Sequence, residues 1–246
     1  MSLFFRPDWT APAVVQALST TRQGGVSSGV YASLNLASHV GDDPAAVQRN
    51  RALLYEQAQI PLEPTWLNQV HGPAVYEHGA ARPSGRDADA SVAFGPGAVC
   101  AVMTADCLPI LLCDQAGTVV AAAHAGWRGL AAGVIEATVQ RMRRPADQLQ
   151  AWLGPAIGPA QFEVGDEVRA RFCALDPDAA AAFRPNAAGR WLADLPMLAR
   201  QRLARLGVTS VSGGDHCTLA DRDRFFSYRR DGVTGRMASL IWLQSG

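Results

Sequence analysis

The chain reads as an α/β or α+β protein, a single domain built on a mixed sheet. Three observations lead there. Short apolar runs rich in Val and Ile, bounded by Gly, Asp and Pro, recur along the sequence and are too short for helices. Segments with helical spacing and cap residues alternate with some of these runs, and several strands come late, which suits mixed pairing. With 246 residues, 48% hydrophobic and 18% charged, the chain can bury one substantial core and is too apolar for disorder. Residues 1–246 are therefore one domain.

In chain order, residues 13–20 read as the first strand. A glycine-rich loop from Thr21 follows and ends near Tyr31, where the backbone turns or closely approaches a ligand. Asp43 is an N-cap and Pro44 a first helical residue for a helix reaching about Gln57. Val47, Arg51, Leu54 and Ala58 form its inward row. An arginine there needs a partner, either an ion pair or a ligand anion that it grips in two-pronged fashion. Residues 66–72 read as a short strand ending at His71. Residues 80–89 form a polar loop whose Asp87 and Asp89 are solvated unless the loop folds over a site.

The centre of the chain is residues 97–129. Runs at 98–103, 108–113 and 118–123 read as three buried strands. Their ends carry Thr104-Ala105-Asp106-Cys107 and His124-Ala125-Gly126-Trp127-Arg128-Gly129, and strand ends are where α/β sheets place their sites. Beyond Gly129 a helix through Arg143 presents Ala131, Ile135, Val139 and Met142 as an apolar stripe, and its opening turn suits an anion. Residues 149–153 form another strand, opening into a shaped Gly-Pro loop at 154–159. Residues 161–173 and 194–206 read as helices, the second closed by Gly207. Strands at 208–211, 224–228 and 237–243 finish the chain.

The formal net charge of zero argues against bulk attraction to nucleic acid or anionic membranes. Every one of the 22 basic residues is arginine, so no lysine Schiff base or lysine base is available, and arginine fills any cationic role. The first residues lack a secretory pattern and no apolar run reaches membrane-spanning length. Five unevenly spaced cysteines do not form a disulfide framework. A reducing cytoplasm is the expected location.

Cys107, His124 and His71 end core segments, and one thiolate with two imidazoles suits Zn²⁺ or Cu²⁺. Their separations are long and irregular, unlike structural zinc sites, so spacing leaves the metal centre open. Cys100 and Cys113 lie inside apolar runs as inert core thiols. Cys173 sits on a helix, and His39 and His78 read as loop or surface residues. His216 and Cys217 are adjacent and point opposite ways in extended backbone.

Several ordered motifs carry a further reading. They are Thr20-x-Arg22-x-Gly24-Gly25-Val26-Ser27, Ser33-Leu34-Asn35-Leu36, Asn50-Arg51, Asn68-Gln69-Val70-His71 and Ala105-Asp106-Cys107-Leu108-Pro109-Ile110. His124-Ala125-Gly126-Trp127-Arg128-Gly129, Gly154-Pro155-x-Ile157, Cys217-Thr218, Phe226-Ser227-Tyr228-Arg229-Arg230 and Thr234-Gly235-Arg236 complete the set. Over nearly its whole length the chain resembles the YfiH family, the laccase-domain or polyphenol-oxidase-like proteins assigned as purine nucleoside phosphorylases. The resemblance implies an α/β/β/α sandwich and a zinc site at His71, Cys107 and His124, with copper able to take the same ligands. It implies phosphorolysis of adenosine, inosine and S-methyl-5'-thioadenosine, with adenosine deamination as a second activity. The partners are then a purine nucleoside and phosphate, in a monomer or a homodimer.

Position and chemistry make Arg51, Arg22 and Arg128, with Asn35, the candidate phosphate or substrate anchors. Asp106 could place a proton or orient a metal ligand. A multicopper laccase needs more imidazoles than five histidines supply, which leaves at most weak phenol oxidation at a single copper. A competing reading makes Cys107 a nucleophile and His124 its base, in an amidase or a deamidase; the family resemblance adds the editing of peptidoglycan precursors to that reading. A noncatalytic binding partner is the least favoured alternative.

Overall fold

The computed structural model describes residues 2–80 and 85–244. Residues 81–84 of the polar loop read from the sequence lie outside the described residues. Two sheets stack face to face, with helices on both outer surfaces. The first sheet is antiparallel, in the order β1 (Phe4–Phe5), β2 (Val15–Thr20), β13 (Met237–Leu243) and β5 (Val99–Thr104). The second is mixed, in the order β12 (Ser210–Gly213), β8 (Leu149–Leu153), β6 (Leu108–Asp114), β7 (Val119–Ala125), β4 (Ala90–Phe94) and β3 (Val75–Glu77). Only its two outermost pairs run parallel. A small third sheet joins β10 (Phe183–Pro185), β11 (Trp191–Ala193) and β9 (Glu163–Val164).

The period-2 alternation of the strands builds the layers. Val15, Ala17, Cys100, Val102 and Ile241 of the first sheet meet Ala93, Leu111, Cys113, Val120, Ala122 and Trp152 of the second. The alternate residues Val119, Ala121, Ala123 and Ala125 face the other way, onto α3 (Val134–Met142) and α5 (Leu195–Leu206). On the far side of the first sheet, α1 (Pro44–Ala58) lays Leu54 and Ala58 against Ala101, Met103 and Leu240. The result is the expected α/β/β/α sandwich. Burying each core Leu, Ile or Val stabilises by roughly 1.5–3 kcal/mol before the entropy of ordering is counted.

Several elements differ from expectation. α1 is capped by the Asp43 side chain, which accepts from Ala45 N–H, as read. Its inward row is Val47, Asn50, Leu54 and Ala58, because the fully buried Asn50, not Arg51, turns to the core. The long helix after Gly129 is two helices, α2 (Trp127–Ala132) and α3, broken at Gly133 with φ 94°. α2 spans only 6 residues, so the anion-binding opening read there lacks the aligned dipoles of a long helix. Residues 66–72 form a loop with one bridge, Asn68 to Asp87, and His71 has φ 60°. The helix read at 161–173 is β9 followed by α4 (Asp166–Leu175). Residues 224–227 are loop, leading into α6 (Tyr228–Asp231). No helix among the described residues is long and apolar enough to cross a membrane.

Candidate metal centre and cavity

β5 and β6 are consecutive but belong to different sheets, so Ala105, Asp106 and Cys107 cross the open end of the sandwich between them. That crossing is tight: Asp106 has φ 88°, a left-handed conformation that a non-glycine residue holds only when its surroundings impose it. Both carboxylate oxygens are engaged. Oδ1 accepts from Thr218 Oγ1 at 2.6 Å and Oδ2 from Arg229 N–H at 2.6 Å, while the main-chain oxygen accepts from Ile157 N–H at 2.9 Å. Asp106 thus clamps two loops and the start of α6 to the turn that presents Cys107.

His124 arrives from β7, one position beyond the inter-sheet row of Val120 and Ala122. It is buried and its Nδ1 lies 2.7 Å from Asp89 Oδ1. That leaves Nε2 as the nitrogen facing away from the carboxylate. Asp89 is fully buried, which overturns its reading as a solvated loop residue. It also accepts from the N–H groups of Val70 (3.1 Å), His71 (2.9 Å) and Gly72 (2.7 Å). One carboxylate therefore orients His124 and fixes the strained loop that carries His71. Gln69 anchors the same loop, pairing its side-chain amide with both main-chain groups of Met103 at 2.8 Å each.

His71, Cys107 and His124 converge, each offering one ligand atom, all within 4.8 Å of one another. They are the one group of three such ligands among the described residues. His71 Nε2 stands 3.9 Å from Cys107 Sγ. A tetrahedral Zn²⁺ at ordinary bond lengths needs about 3.5 Å between ligand atoms, so a small inward adjustment completes the set. The donors fit a transition metal: one soft thiolate and two imidazoles, one oriented by a buried carboxylate. Gly126 is required here, since a Cβ would lie 2.7 Å from Cys107 Sγ.

The charges support the same use. Burial pushes the Cys107 thiol up, but the neighbouring His124 and His71 outweigh it and bring it down to about 6. Burial lowers His124, yet Cys107 and Asp89 raise it to about 9. Burial likewise raises the Asp89 carboxyl, and the bonds from His124, Gly72 and His71 hold it below the usual range. Each partner thus favours the charged form of the other, lowering the thiol and raising the imidazole.

These ligands sit in a cavity of about 530 Å³. Trp127, Phe162 and Tyr228 supply flat apolar walls; Arg128, Arg229 and Arg236 supply positive charge, and His39 and Gln69 complete the polar lining. Of the anchors expected from the sequence, Arg128 lines the cavity, its guanidinium 4.6 Å over the Trp127 ring. Arg51, Arg22 and Asn35 are absent from the lining. Arg51 donates through Nε and Nη2 to Leu36 O and lies 4.3 Å over Trp66. Arg22 donates to Ala32 O and Arg222 O and stacks 4.6 Å over Phe226. Both guanidiniums hold main chain together. His39, read as a loop or surface residue, is an exposed turn residue that also lines the cavity. Asp89, Arg229 and Arg236 were missed; the Ser-Tyr-Arg-Arg and Thr-Gly-Arg motifs marked the last two without a role.

A family model described as multi-copper polyphenol oxidoreductase laccase matches residues 16–244. A Pseudomonas aeruginosa protein named purine nucleoside phosphorylase is 56% identical over 99% of this chain and 100% of its own. The Escherichia coli purine nucleoside phosphorylase YfiH is 54% identical over the same shares. The chain belongs to the YfiH family. A Neisseria meningitidis crystal structure matches this YfiH-family chain with a TM-score of 0.93 and 54% identity, covering 99% of this chain and 100% of that one. YlmD from Geobacillus stearothermophilus follows at 0.88 and 32%, covering both chains fully. A multicopper arrangement does not suit this YfiH-family chain, because its five histidines are dispersed. Only His71 and His124 meet at the cluster, His216 stacks on Phe5 and Phe225, and His78 stacks on Tyr76.

Proposed function

We propose that this chain is a metal-dependent purine nucleoside phosphorylase acting at the cavity over His71, Cys107 and His124. The observation that carries the reading is the cavity itself. It joins a His-Cys-His ligand set, aromatic walls and arginines in a chain 54–56% identical to relatives named for that activity. In the reaction, the bond from C1' of ribose to the purine nitrogen breaks and a phosphate oxygen bonds to C1'. The purine leaves with the bonding pair and takes up a proton.

Trp127, Phe162 and Tyr228 offer faces against which a planar base packs. Arg128, at the exposed edge, draws phosphate toward the ribose. Asp89 keeps Nδ1 of His124 occupied and its ring fixed. His71, Cys107 and His124 hold the metal, zinc in this reading, which supplies Lewis-acid charge stabilisation when bound. Adenosine, inosine and S-methyl-5'-thioadenosine are the substrates, and deamination of adenosine is a second activity of the same cavity. Copper is the competing occupant, because His₂Cys sets also suit it.

The test is to incubate zinc-loaded protein with adenosine, with and without phosphate, and separate adenine, inosine and ribose 1-phosphate by chromatography. Adenine and ribose 1-phosphate should form only with phosphate, while inosine forms in either case. Adenine released equally fast without phosphate would make the enzyme a nucleoside hydrolase.

One observation favours a second reading. Cys107, His124 and Asp89 are arranged as nucleophile, base and orienting carboxylate, which is the layout of a cysteine amidase. A thiolate bound to metal is a poor free nucleophile. Alkylation of Cys107 that stays fast in metal-loaded protein, together with amide cleavage and no nucleoside turnover, would favour the amidase.

A further inference from the structure

Arg236 lies over an aromatic ring as the other arginines of the cavity do, 5.8 Å from that of Tyr228, but differs from them in burial. Arg128 is exposed and lies over Trp127, and Arg229 is exposed, donates to Glu163 O and lies 5.2 Å over Phe162. Arg236 is half-buried and has no carboxylate within salt-bridge distance among the described residues. Its Nη1 donates to Thr234 O at 2.8 Å and Gly235 O at 3.0 Å, so the guanidinium folds back on its own main chain. Among the described residues, no protein acceptor takes the Nε and Nη2 N–H groups. These two lie along one edge of the fork, the edge that grips an oxyanion through parallel hydrogen bonds.

The main chain beneath this arginine is held from the layer behind. The fully buried Asn35 accepts Arg236 N–H at 2.9 Å and Ala37 N–H at 3.0 Å through one oxygen. Its amide nitrogen donates to Ala37 O at 3.1 Å and Asp42 Oδ2 at 2.9 Å. Leu36 N–H donates back to Arg236 O at 3.3 Å. Gly235 leaves no freedom either: a Cβ there would meet the Phe226 ring at 2.7 Å and Asn35 Cβ at 2.9 Å. One side chain thus locks both Arg236 and the turn leading to His39, and both of those residues line the cavity.

We propose that Arg236 is the oxyanion anchor of the cavity and that Asn35 is its positioning residue. A half-buried guanidinium that lines a cavity and keeps one donor edge without a protein acceptor is suited to grip an anion there. Burial lowers the Arg236 pKa, while Cys107 and Asp106 act against it, which sets the cation beside the metal-ligand cluster. The ligand is a tetrahedral oxyanion, either free inorganic phosphate or the phosphate of a nucleoside monophosphate. The choice of inorganic phosphate rests on the phosphorylase reading above. The anchor itself does not.

The experiment has a binding arm and a kinetic arm. Calorimetric titration of the metal-loaded protein with inorganic phosphate, and separately with adenosine 5'-monophosphate, is run on wild type, Arg236→Met and Arg236→Lys. Circular dichroism and thermal melts confirm that each variant is folded. Arg236→Met should weaken oxyanion binding about 10- to 100-fold, the loss expected for charge-assisted hydrogen bonds, and Arg236→Lys should recover part of it. Steady-state assays should show the phosphate KM raised by a similar factor with the adenosine KM little changed. Asn35→Ser should show the same split in milder form, which a merely structural loss would not produce.

Preference for inorganic phosphate over the monophosphate supports the phosphorylase form of the inference, and the reverse order moves the anchor to a nucleotide substrate. If wild type cleaves adenosine without phosphate while Arg236→Met still loses oxyanion binding, the phosphorylase reading falls and the anchor stands. If wild type is phosphate-dependent and a folded Arg236→Met keeps its phosphate affinity and KM, the anchor is wrong. Failure of wild type to bind either oxyanion would overturn it as well.

Discussion

Asp89 is the side chain through which the candidate site is most exposed to a single change. It receives His124 Nδ1 and three main-chain N–H groups from residues 70–72. Asp89→Asn keeps the size but replaces one acceptor with an amide that faces N–H groups as a donor. We expect metal affinity to fall about 10- to 100-fold, with a lowered melting temperature, read by competition with a chromophoric chelator and by thermal melts. Unchanged affinity would show that the His71 loop is held by something else. Nothing near Asp89 in the sequence announces this role. It sits 35 positions from His124 in a polar stretch, and a carboxylate there reads as solvated until the fold brings its donors to it. His71 and Cys107 were legible as candidates by residue type, and the family resemblance grouped them with His124 as a ligand set.

α2 and α3 show where local pattern misleads. The stripe Ala131, Ile135, Val139 and Met142 is real and buried apart from small residual exposure. Periodicity alone runs straight through Gly133, whose φ of 94° ends α2 while its N–H caps Gly129 O and Leu130 O. Gly133→Ala meets only Glu136 Oε2 at 3.5 Å, so its cost is backbone strain rather than a clash. It should destabilise by about 1 kcal/mol or more, measured by urea unfolding, with the kinetics of nucleoside cleavage unchanged. An unaltered midpoint would mean that the helix break is tolerant. The Asp43 cap of α1 was legible for the opposite reason: an N-cap and a proline at the first turn act within a few residues.

Across the molecule, the three candidate metal ligands come from a loop before β3, the turn joining two sheets and the end of β7. A metal that binds this set only in the folded state couples all three segments, so it must raise apparent stability. Binding at 100-fold excess over Kd adds about 2.7 kcal/mol. Calorimetry should therefore show a higher melting temperature with zinc, reversal with chelator, and no shift in Cys107→Ala. A wild-type melt insensitive to zinc would remove the metal from this cluster. The same geometry explains why the site lies at the open end of the sandwich. There strands run out, main-chain groups need partners, and polar side chains meet without disturbing the apolar layer between the sheets.

Strand runs, the capped first helix, the single domain and the presence of a His-Cys-His set with an arginine-rich motif inventory could be read from the amino acids alone. Each depends on periodicity, on caps a few residues long, or on residue types set in motifs that resemble a known family. Which polar residue is buried, and what it holds, came only with the tertiary structure. Asn50 rather than Arg51 turns inward because the glycine-rich loop offers it Val26 and Ser27, and the segment after it Ser33 and Asn35, as partners. Arg236 becomes a cavity cation because Asn35, 201 residues away, seizes its main chain. A buried polar group is stable only where distant donors and acceptors converge on it, and strand order across two sheets decides where that happens.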